Sequence, residues 1–336
     1  MERHANYGPL LQEREFVVKG EGSTKKLLMV NCLSLIEGAY RQGGSFTELV
    51  DATFARQPTS PSHPWRMILY TDEVTPGNVL SHRLERKAWV GYISFLDFRE
   101  HLSKEAAWFV AFIIRTKEVA TLEAGIGQVM RELLRSIFCS AWDPRLGLAF
   151  KSPNGELRKL HFTFGLFLQD GAAQKQVYGV KGDSGNRFCS LCTNAFFCGR
   201  CEEVEEQDSD EEDRDYNGVC KLLKHADLKL CSDRELLEAA DRLHARANAV
   251  SRKEFKIWEQ ASGLLHEPHG LLLDPVLRAA NILAPCSQYC HDWMHCTCAN
   301  GTASICIFLL MRELTRHSAS MWQTVSLGCD RLEFQG

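Results

Sequence analysis

The chain has 336 residues, 45% apolar and 24% charged, which excludes a polypeptide disordered throughout and allows one large core or two smaller ones. The formal charge of −4 is unevenly distributed, because residues 202–215 hold ten acids and one arginine, a charge of −9, which leaves +5 elsewhere. A mildly basic body permits a polyanionic partner without requiring one.

The termini carry no membrane signal that we recognise. The N-terminal sequence MERHANYGPLLQERE is polar and has no signal peptide, and the apolar run at residues 305–311 is far shorter than the ~20 residues that span a bilayer. We therefore expect an intracellular protein with no membrane partner. Fourteen cysteines in a reducing compartment favour metal binding over disulfides where they are clustered.

The first half of the chain predicts an N-terminal segment followed by strands. Residues 1–64 are expected to be helical or irregular and to end at the Pro/Ser-rich stretch RQPTSPSHP, residues 56–64. Three runs rich in aromatic and β-branched residues follow and predict strands. They are WRMILYT (65–71), AWVGYISFL (88–96) and AWFVAFIIR (107–115).

A helix and a fourth strand come next. Thr121 is the expected N-cap of the helix, whose apolar residues fall on one face as far as Ile137. The fourth strand is LHFTFGLFLQD, residues 160–170. Three strands, a helix and a fourth strand resemble the opening of a ribonuclease-H-like domain, although other α/β folds begin in the same way.

The chain after the fourth strand changes character. The acidic segment, residues 202–219, is expected to be a solvated, flexible linker, since so many carboxylates cannot be buried unpaired. Ser232 and Glu235 have the spacing of a capping box and precede apolar residues at intervals of three and four. Residues 220–285 are therefore predicted to form a mainly helical insertion.

Two of the predicted strands end on an acid, namely Asp72 in ILYTDEVTPGN and Asp170 in LHFTFGLFLQD. An Asp at the carboxyl end of a strand projects into the crevice where α/β folds place their ligands. Two such carboxylates from neighbouring strands repel unless a cation neutralises them, and paired Mg²⁺ ions do so in phosphoryl-transfer sites. The alternative is that each Asp only caps the turn after its strand.

The sequence that follows the second acid is the most informative stretch. In DGAAQKQVYGVKGDSGNRFCSLC, Ala173 lies three residues after Asp170 and Gly179 nine residues after it. A Cys-x-x-Cys pair, Cys189 and Cys192, comes shortly afterwards. These offsets resemble those after the second catalytic Asp of DDE-type DNA transposases of the CACTA (En/Spm) group.

Two further motifs extend this resemblance. Asp72 is followed four residues later by Pro76, similar to the Asp-Gly-x-x-Pro of that group, with Glu73 in place of the Gly. The sequence HDWMH, residues 291–295, resembles the group's Asp-x-Met-His. The catalytic subunit of the V(D)J recombinase has an analogous arrangement. The resemblance covers roughly residues 65–315.

The resemblance implies a transposase-derived protein with a ribonuclease-H-like core. Asp72, Asp170 and a third acid would hold two Mg²⁺ (or Mn²⁺) ions for phosphodiester hydrolysis followed by strand transfer. We prefer Glu313, on a predicted late helix, as the third acid, with Asp292 as the alternative, and an acid beyond this chain is also left open. The implied partner is DNA at transposon ends, in the nucleus, with homo-oligomerisation as a further expectation.

The cysteines and histidines allow two Zn²⁺ sites. Four cysteines spaced as two Cys-x-x-Cys pairs, with five residues between the pairs, can close a tetrahedral site locally. That set is Cys189, Cys192, Cys198 and Cys201. The resemblance favours the other set, in which Cys189 and Cys192 join His291 and His295 in a site of two cysteines and two histidines. In both cases four protein ligands close the site, so the zinc is structural.

The expected architecture is an α/β protein with a ribonuclease-H-like mixed sheet and a zinc-binding, mainly helical insertion. Besides the segments already given, residues 65–187 are the first part of the core, residues 188–201 bind zinc, and residues 286–336 hold the His/Cys motif and a C-terminal helix that returns to the core. A function of another class remains open, namely a catalytically inactive, transposase-derived, zinc-stabilised module that binds nucleic acid or protein. The sequence also leaves open whether the chain is a fragment.

Overall fold

The computed structural model describes residues 6–20, 22–75, 86–198, 219–220 and 225–292, and positions 297, 303, 306, 307 and 309–311. The chain divides into two compact units, Met1–Cys290 and His291–Gly336. The helices and strands given below belong to the first unit, apart from the last residue of the final strand. The predicted acidic linker, except its last residue, lies outside the described residues, and so does most of the predicted C-terminal helix.

Strands and helices alternate along the first unit. The strands are β1 (Leu11–Val17), β2 (Thr24–Val30), β3 (Trp65–Val74), β4 (Ala88–Phe95), β5 (Phe109–Arg115), β6 (Leu148–Lys151), β7 (Leu157–Leu160), β8 (Phe162–Gln169), β9 (Phe197–Cys198), β10 (Val219–Cys220) and β11 (Tyr289–His291). The helices are α1 (Cys32–Gln42), α2 (Ser45–Arg56), α3 (Thr116–Ala120), α4 (Gly125–Phe138), α5 (Gly171–Tyr178), α6 (Asp233–Arg246), α7 (Arg252–Ser262) and α8 (Pro275–Ala279). Within the described part of the chain, no helix has the length and apolar character needed to cross a membrane.

The central sheet has five strands in the order β11, β8, β3, β4, β5. β4 runs antiparallel to both β3 and β5, whereas β8 runs parallel to β3. The chain is therefore an α/β protein with a mixed sheet, which confirms the predicted class. The four long strands lie where their apolar runs predicted them, because a sheet covered on both faces selects almost continuous apolar sequence.

The N-terminal segment differs from its prediction. Residues 1–64 were expected to be helical or irregular, but β1 and β2 form an antiparallel hairpin ahead of α1 and α2. Gly20 and Gly22, with φ of 81° and 60°, allow the tight turn between the two strands. Only Phe16 and Met29 of the hairpin strands are buried, so the hairpin has almost no apolar alternation by which the sequence could have revealed it.

The helix predicted to begin at Thr121 begins later. α4 starts at Gly125, and its N-cap is Ala124. Thr121 instead is the C-cap of α3, four residues before α4 begins, and its hydroxyl donates to the carbonyl oxygen of Glu118 at 2.7 Å and accepts from Nζ of Lys25 at 2.6 Å. The expected apolar face is nonetheless buried. Its buried members include Ile126, Val129, Met130, Leu133, Leu134 and Ile137.

A buried cluster of charges joins α4 to α8. The side chain of Asp274 is fully buried and caps α8 by accepting a hydrogen bond from Leu277 N at 2.7 Å. The same carboxylate forms an ion pair with Arg135 and lies 3.8 Å from Nε of Arg131. Because a buried carboxylate is costly without partners, this cluster fixes the position of α8 against α4.

Replacing Asp274 by Ala tests that anchor. The substitution leaves two arginines without their buried partner and removes the cap of α8, so we expect the free energy of unfolding to fall by about 3–5 kcal/mol. Urea denaturation measures it. The control is Glu238→Ala, which removes the exposed pair between Arg234 Nε and Glu238 Oε1 (2.6 Å) and should change stability little. Equal losses in the two variants would contradict the anchoring role.

Candidate functional site

The two acids lie near the ends of neighbouring parallel strands, Asp72 as the third-last residue of β3 and Asp170 as the residue after β8. The pairing of β3 with β8 runs as far as Tyr70 opposite Leu168, and the side chains of the next two residues, Thr71 and Gln169, share a hydrogen bond. Residues paired across adjacent strands lie about 5 Å apart and project from the same face of the sheet. Both acids are half-buried. If the register continues for two residues beyond Tyr70 and Leu168, Asp72 and Asp170 lie together at one edge and on one face of the sheet.

A buried hydrogen bond fixes this register one residue before the acids. Nε2 of Gln169 donates to Oγ1 of Thr71, and the two side chains are 0% and 1% exposed. Because side chains alternate along a strand, this pair projects from the opposite face to the acids. A slip of one residue would break the hydrogen bond and move one acid to the wrong face.

Asp170 also has a structural role. It is the N-cap of α5, and its Oδ1 accepts a hydrogen bond from Ala173 N at 2.6 Å. The partial positive charge at the start of the helix stabilises an ionised carboxylate there. This is the capping role of the alternative interpretation. A carboxylate has about four acceptor positions, so a cap at one oxygen is chemically compatible with a cation at the other.

Asp72 has a hydrogen-bond partner on its own strand. The hydroxyl of Tyr70 donates to Oδ2 of Asp72 at 3.2 Å, and the two side chains share a face because they are two residues apart. The turn at residues 76–77, which Asp72 would cap in the alternative interpretation, lies outside the described residues. The hydrogen bond orients the Asp72 carboxylate at the edge of the sheet.

The adjacent acid, Glu73, projects from the opposite face and joins three parts of the fold. Nζ of Lys87 lies 3.0 Å from its Oε2, and the hydroxyl of Thr116 donates to its Oε1 at 2.6 Å. These contacts connect β3 to the residue before β4 and to the start of α3. Glu73 is therefore a matched reference for Asp72, one residue away on the same strand but on the other face.

The two candidates for the third acid are Glu313 and Asp292. Glu313 lies outside the described residues. Asp292 is half-buried and belongs to the second unit, His291–Gly336. The identity of the third acid stays a prediction.

The predicted zinc ligands are spread over both units. Cys189 and Cys192 lie in the first unit and their thiols interact, while Cys198 is in β9 and His291 begins the second unit. Outside the described residues are Cys201 and His295. Among the side chains that the structure describes, no three of His, Cys, Asp or Glu are arranged to hold a metal ion. Both predicted ligand sets stay predictions.

Sequence analysis did not single out Cys231, which the fold places near the Cys-x-x-Cys pair. Its backbone N donates to the carbonyl oxygen of Leu191 at 2.8 Å, and its thiol interacts with those of Cys192 and Cys286. A single cysteine carries no spacing signal. Only the pairing of distant segments could have identified it.

A second group that sequence analysis did not single out is Glu267, on the wall of a cavity of about 350 Å³. Burial raises the pKa of the Glu267 carboxyl to about 7, against the opposing effect of the Lys19 ammonium. The carboxyl packs so closely on the backbone that a Cβ at Gly179 would lie 2.7 Å from its Oε2. Such a strongly shifted pKa marks a candidate functional group, although tight packing alone also produces it.

Comparisons with known proteins give no family assignment. No protein-family model matches the chain, and no curated protein matches it at a significant level. The geometry described above therefore carries the functional argument.

The raised pKa of Glu267 predicts how stability depends on pH. Below about pH 4.5 the carboxyl is protonated in both states. As pH rises from 4.5 to about 7 the unfolded chain loses this proton first, so the contribution of Glu267 lowers the free energy of unfolding, and the effect levels off above pH 7. Glu267→Gln removes this contribution. We expect the variant's stability relative to wild type to be about 3 kcal/mol more favourable at pH 8 than at pH 4.

Urea denaturation at several pH values measures this difference. Glu123→Gln, an exposed glutamate at the same cavity, is the control and should alter the profile little. A Glu267→Gln profile parallel to that of the wild type would show that the carboxyl is not held neutral by burial.

Proposed function

We propose that the chain is a transposase-like DNA nuclease and strand transferase of the DDE type, with a ribonuclease-H-like core. The observation that carries the proposal is the parallel pairing of β3 with β8, whose register, continued for two residues beyond Tyr70 and Leu168, would align Asp72 with Asp170. Three antiparallel strands, a helix and a fourth strand beside the first support the fold. The motifs after both acids, which resemble those of CACTA-group transposases, support the chemistry.

The aligned carboxylates suit a divalent cation. Two carboxylates on one face, about one strand spacing apart, repel each other unless a cation lies between them. Hard oxygen ligands are those that Mg²⁺ and Mn²⁺ prefer. When bound, such ions would activate a water or a 3′-hydroxyl and neutralise charge on the scissile phosphate. Glu313, or alternatively Asp292, is proposed as the third acid.

Residues of the chain orient the carboxylates of Asp72 and Asp170. The pairing of β3 with β8 sets the separation of the two acids, and the hydrogen bond between Thr71 and Gln169 prevents it from changing. The hydroxyl of Tyr70 holds one oxygen of Asp72. The cap of α5 holds Oδ1 of Asp170. Fixed carboxylates lower the reorganisation needed during an in-line displacement.

The proposal also covers the binding partners and the cellular location of the protein. The partner is DNA at transposon ends, approached by a body that is mildly basic outside the acidic segment. A protein that acts on DNA is expected in the nucleus. Structural zinc would hold the helical insertion against the core. Homo-oligomerisation fits an enzyme that joins two DNA ends.

A second candidate function is supported by the cap at Asp170. If this carboxylate serves only α5, the chain is an inactive transposase-derived module, stabilised by zinc, that binds nucleic acid or protein. The two candidates differ in one measurable property. Only the enzyme needs Asp170 to be charged, whereas a cap needs only an acceptor oxygen.

Nicking of supercoiled DNA in the presence of Mn²⁺ tests the proposed chemistry. Asp72→Asn and Asp170→Asn should each reduce nicking to the background seen without Mn²⁺, because each loses a charged ligand. Asn at position 170 still caps α5, so the fold and the thermal midpoint should be kept. Asp170→Ala loses both the charge and the cap, and should also lower stability by about 1 kcal/mol.

Glu73→Gln is the matched control. It removes a negative charge one residue from Asp72 but on the opposite face, and it keeps an acceptor for the hydroxyl of Thr116, so nicking should persist. Nicking that survives in Asp72→Asn and Asp170→Asn would remove these residues from the proposed site. A wild type without any nicking would support the inactive module.

A further inference from the structure

Backbone hydrogen bonds bring two cysteine-bearing segments of the first unit together. The Cys-x-x-Cys segment pairs with residues 229–231, ahead of α6, through Thr193 N to Lys229 O and Cys231 N to Leu191 O, both 2.8 Å. Cys192 and Leu230 form an antiparallel bridge within this pairing. The pairing therefore places Cys231 beside Cys192, although the two are 39 positions apart in the sequence.

A third cysteine-bearing segment is attached to the same place by a side chain. Asp233, two residues after Cys231, accepts hydrogen bonds from Cys286 N at 2.6 Å and Ser287 N at 2.9 Å. The hydroxyl of Ser287 donates to the second oxygen of Asp233 at 2.6 Å. A carboxylate with three donors from one two-residue segment fixes Cys286 next to the start of α6.

The thiols of these segments form a continuous cluster. The Cys192 thiol interacts with those of Cys189 and Cys231, and the Cys231 thiol also interacts with that of Cys286. Cys192 and Cys231 are 6% and 7% exposed, and the other two are half-buried.

A cation lies beside the cluster. The guanidinium of Arg187 donates from Nε to the carbonyl oxygen of Cys192 at 2.9 Å. Four thiolates on one divalent ion carry a net charge of about −2. Arg187 is placed to offset part of that charge, which four neutral, buried thiols would not need.

We propose that Cys189, Cys192, Cys231 and Cys286 are the ligands of a structural zinc site made of four cysteines. The thiols face one another in pairs and do not yet surround a common point. Rotation about single χ1 angles, between staggered rotamers, is the adjustment that gathers them. The site replaces the two histidines of the expected mixed set, His291 and His295, with two cysteines. It lies entirely within Met1–Cys290 and does not depend on the nuclease proposal.

Such a zinc site would connect three segments that are far apart in the sequence. A closed tetrahedral site would attach the start of α6 and the segment before β11 to the Cys-x-x-Cys loop. Because the metal binds only the folded arrangement, its binding free energy adds to the stability of the fold. Both ends of the helical segment would then be held at one point.

Zinc K-edge absorption spectroscopy of the purified, reduced full chain tests the ligand set without any substitution. We expect about one Zn²⁺ per chain with sulfur ligands alone at about 2.3 Å. Nitrogen ligands at about 2.0–2.1 Å would overturn the proposal in favour of the set containing His291 and His295. A protein without zinc, or with a disulfide among these cysteines under reducing conditions, would also overturn it.

Single substitutions test which residues bind. Cys231→Ser and Cys286→Ser should each lose most of the bound zinc by elemental analysis, and in the Co²⁺-loaded protein they should lose about a quarter of the thiolate charge-transfer intensity if metal is retained. Cys198→Ser and His295→Ala should keep zinc and spectrum unchanged, as should Cys139→Ser, a half-buried cysteine elsewhere. Loss of zinc in Cys198→Ser or His295→Ala, with retention in Cys286→Ser, would assign the metal to one of the other sets.

Discussion

The parallel pairing of β3 with β8 is the constraint on which the rest of the structure depends. Parallel neighbours need a long crossover, and here the chain between them forms β4 and β5 on the far side of β3, then α3, α4 and the β6–β7 hairpin, before β8 returns beside β3. The pairing is what gives two acids, 98 positions apart in the sequence, a common edge and face. Without it, Asp72 and Asp170 would be two unrelated strand ends.

Polar groups near this edge are divided between the two faces of the sheet. Thr71, Gln169 and Glu73 project from one face, where Thr71 bonds to Gln169 and Glu73 contacts Lys87 and Thr116. The two acids project from the other face, where the contacts to Asp72 and Asp170 each hold one carboxylate oxygen. Alternation along a strand therefore separates the contacts that stabilise the register from the two acids.

The parts of the fold that the sequence predicts are those encoded in local patterns. The core strands are continuous apolar runs, and the capping box at Ser232 is present in the structure as expected. The hairpin of β1 and β2 escaped prediction because only two of its side chains are buried. Thr121 was predicted as the N-cap of α4, but its hydroxyl donates backward to the carbonyl oxygen of Glu118 in α3.

The candidate site also combines features that are visible in the sequence with features that depend on tertiary packing. Strand ends on acids are visible in sequence, but their register is not, since it depends on which residues pair across the sheet. The neighbourhood of Cys231 and the burial of Glu267 are likewise products of tertiary packing between segments far apart in the chain. Spacing rules find ligands that are close in sequence, and they cannot find ligands brought together by a side chain such as Asp233.

The central claim is that the fold aligns two acids so that they share a cation, and a crystal structure of the full chain grown with Mn²⁺ tests it most directly. The account predicts an anomalous-scattering peak within about 2.0–2.6 Å of a carboxylate oxygen of both Asp72 and Asp170. It is contradicted if the two carboxylates lie more than about 10 Å apart, or if Mn²⁺ at saturating concentration leaves no peak between them.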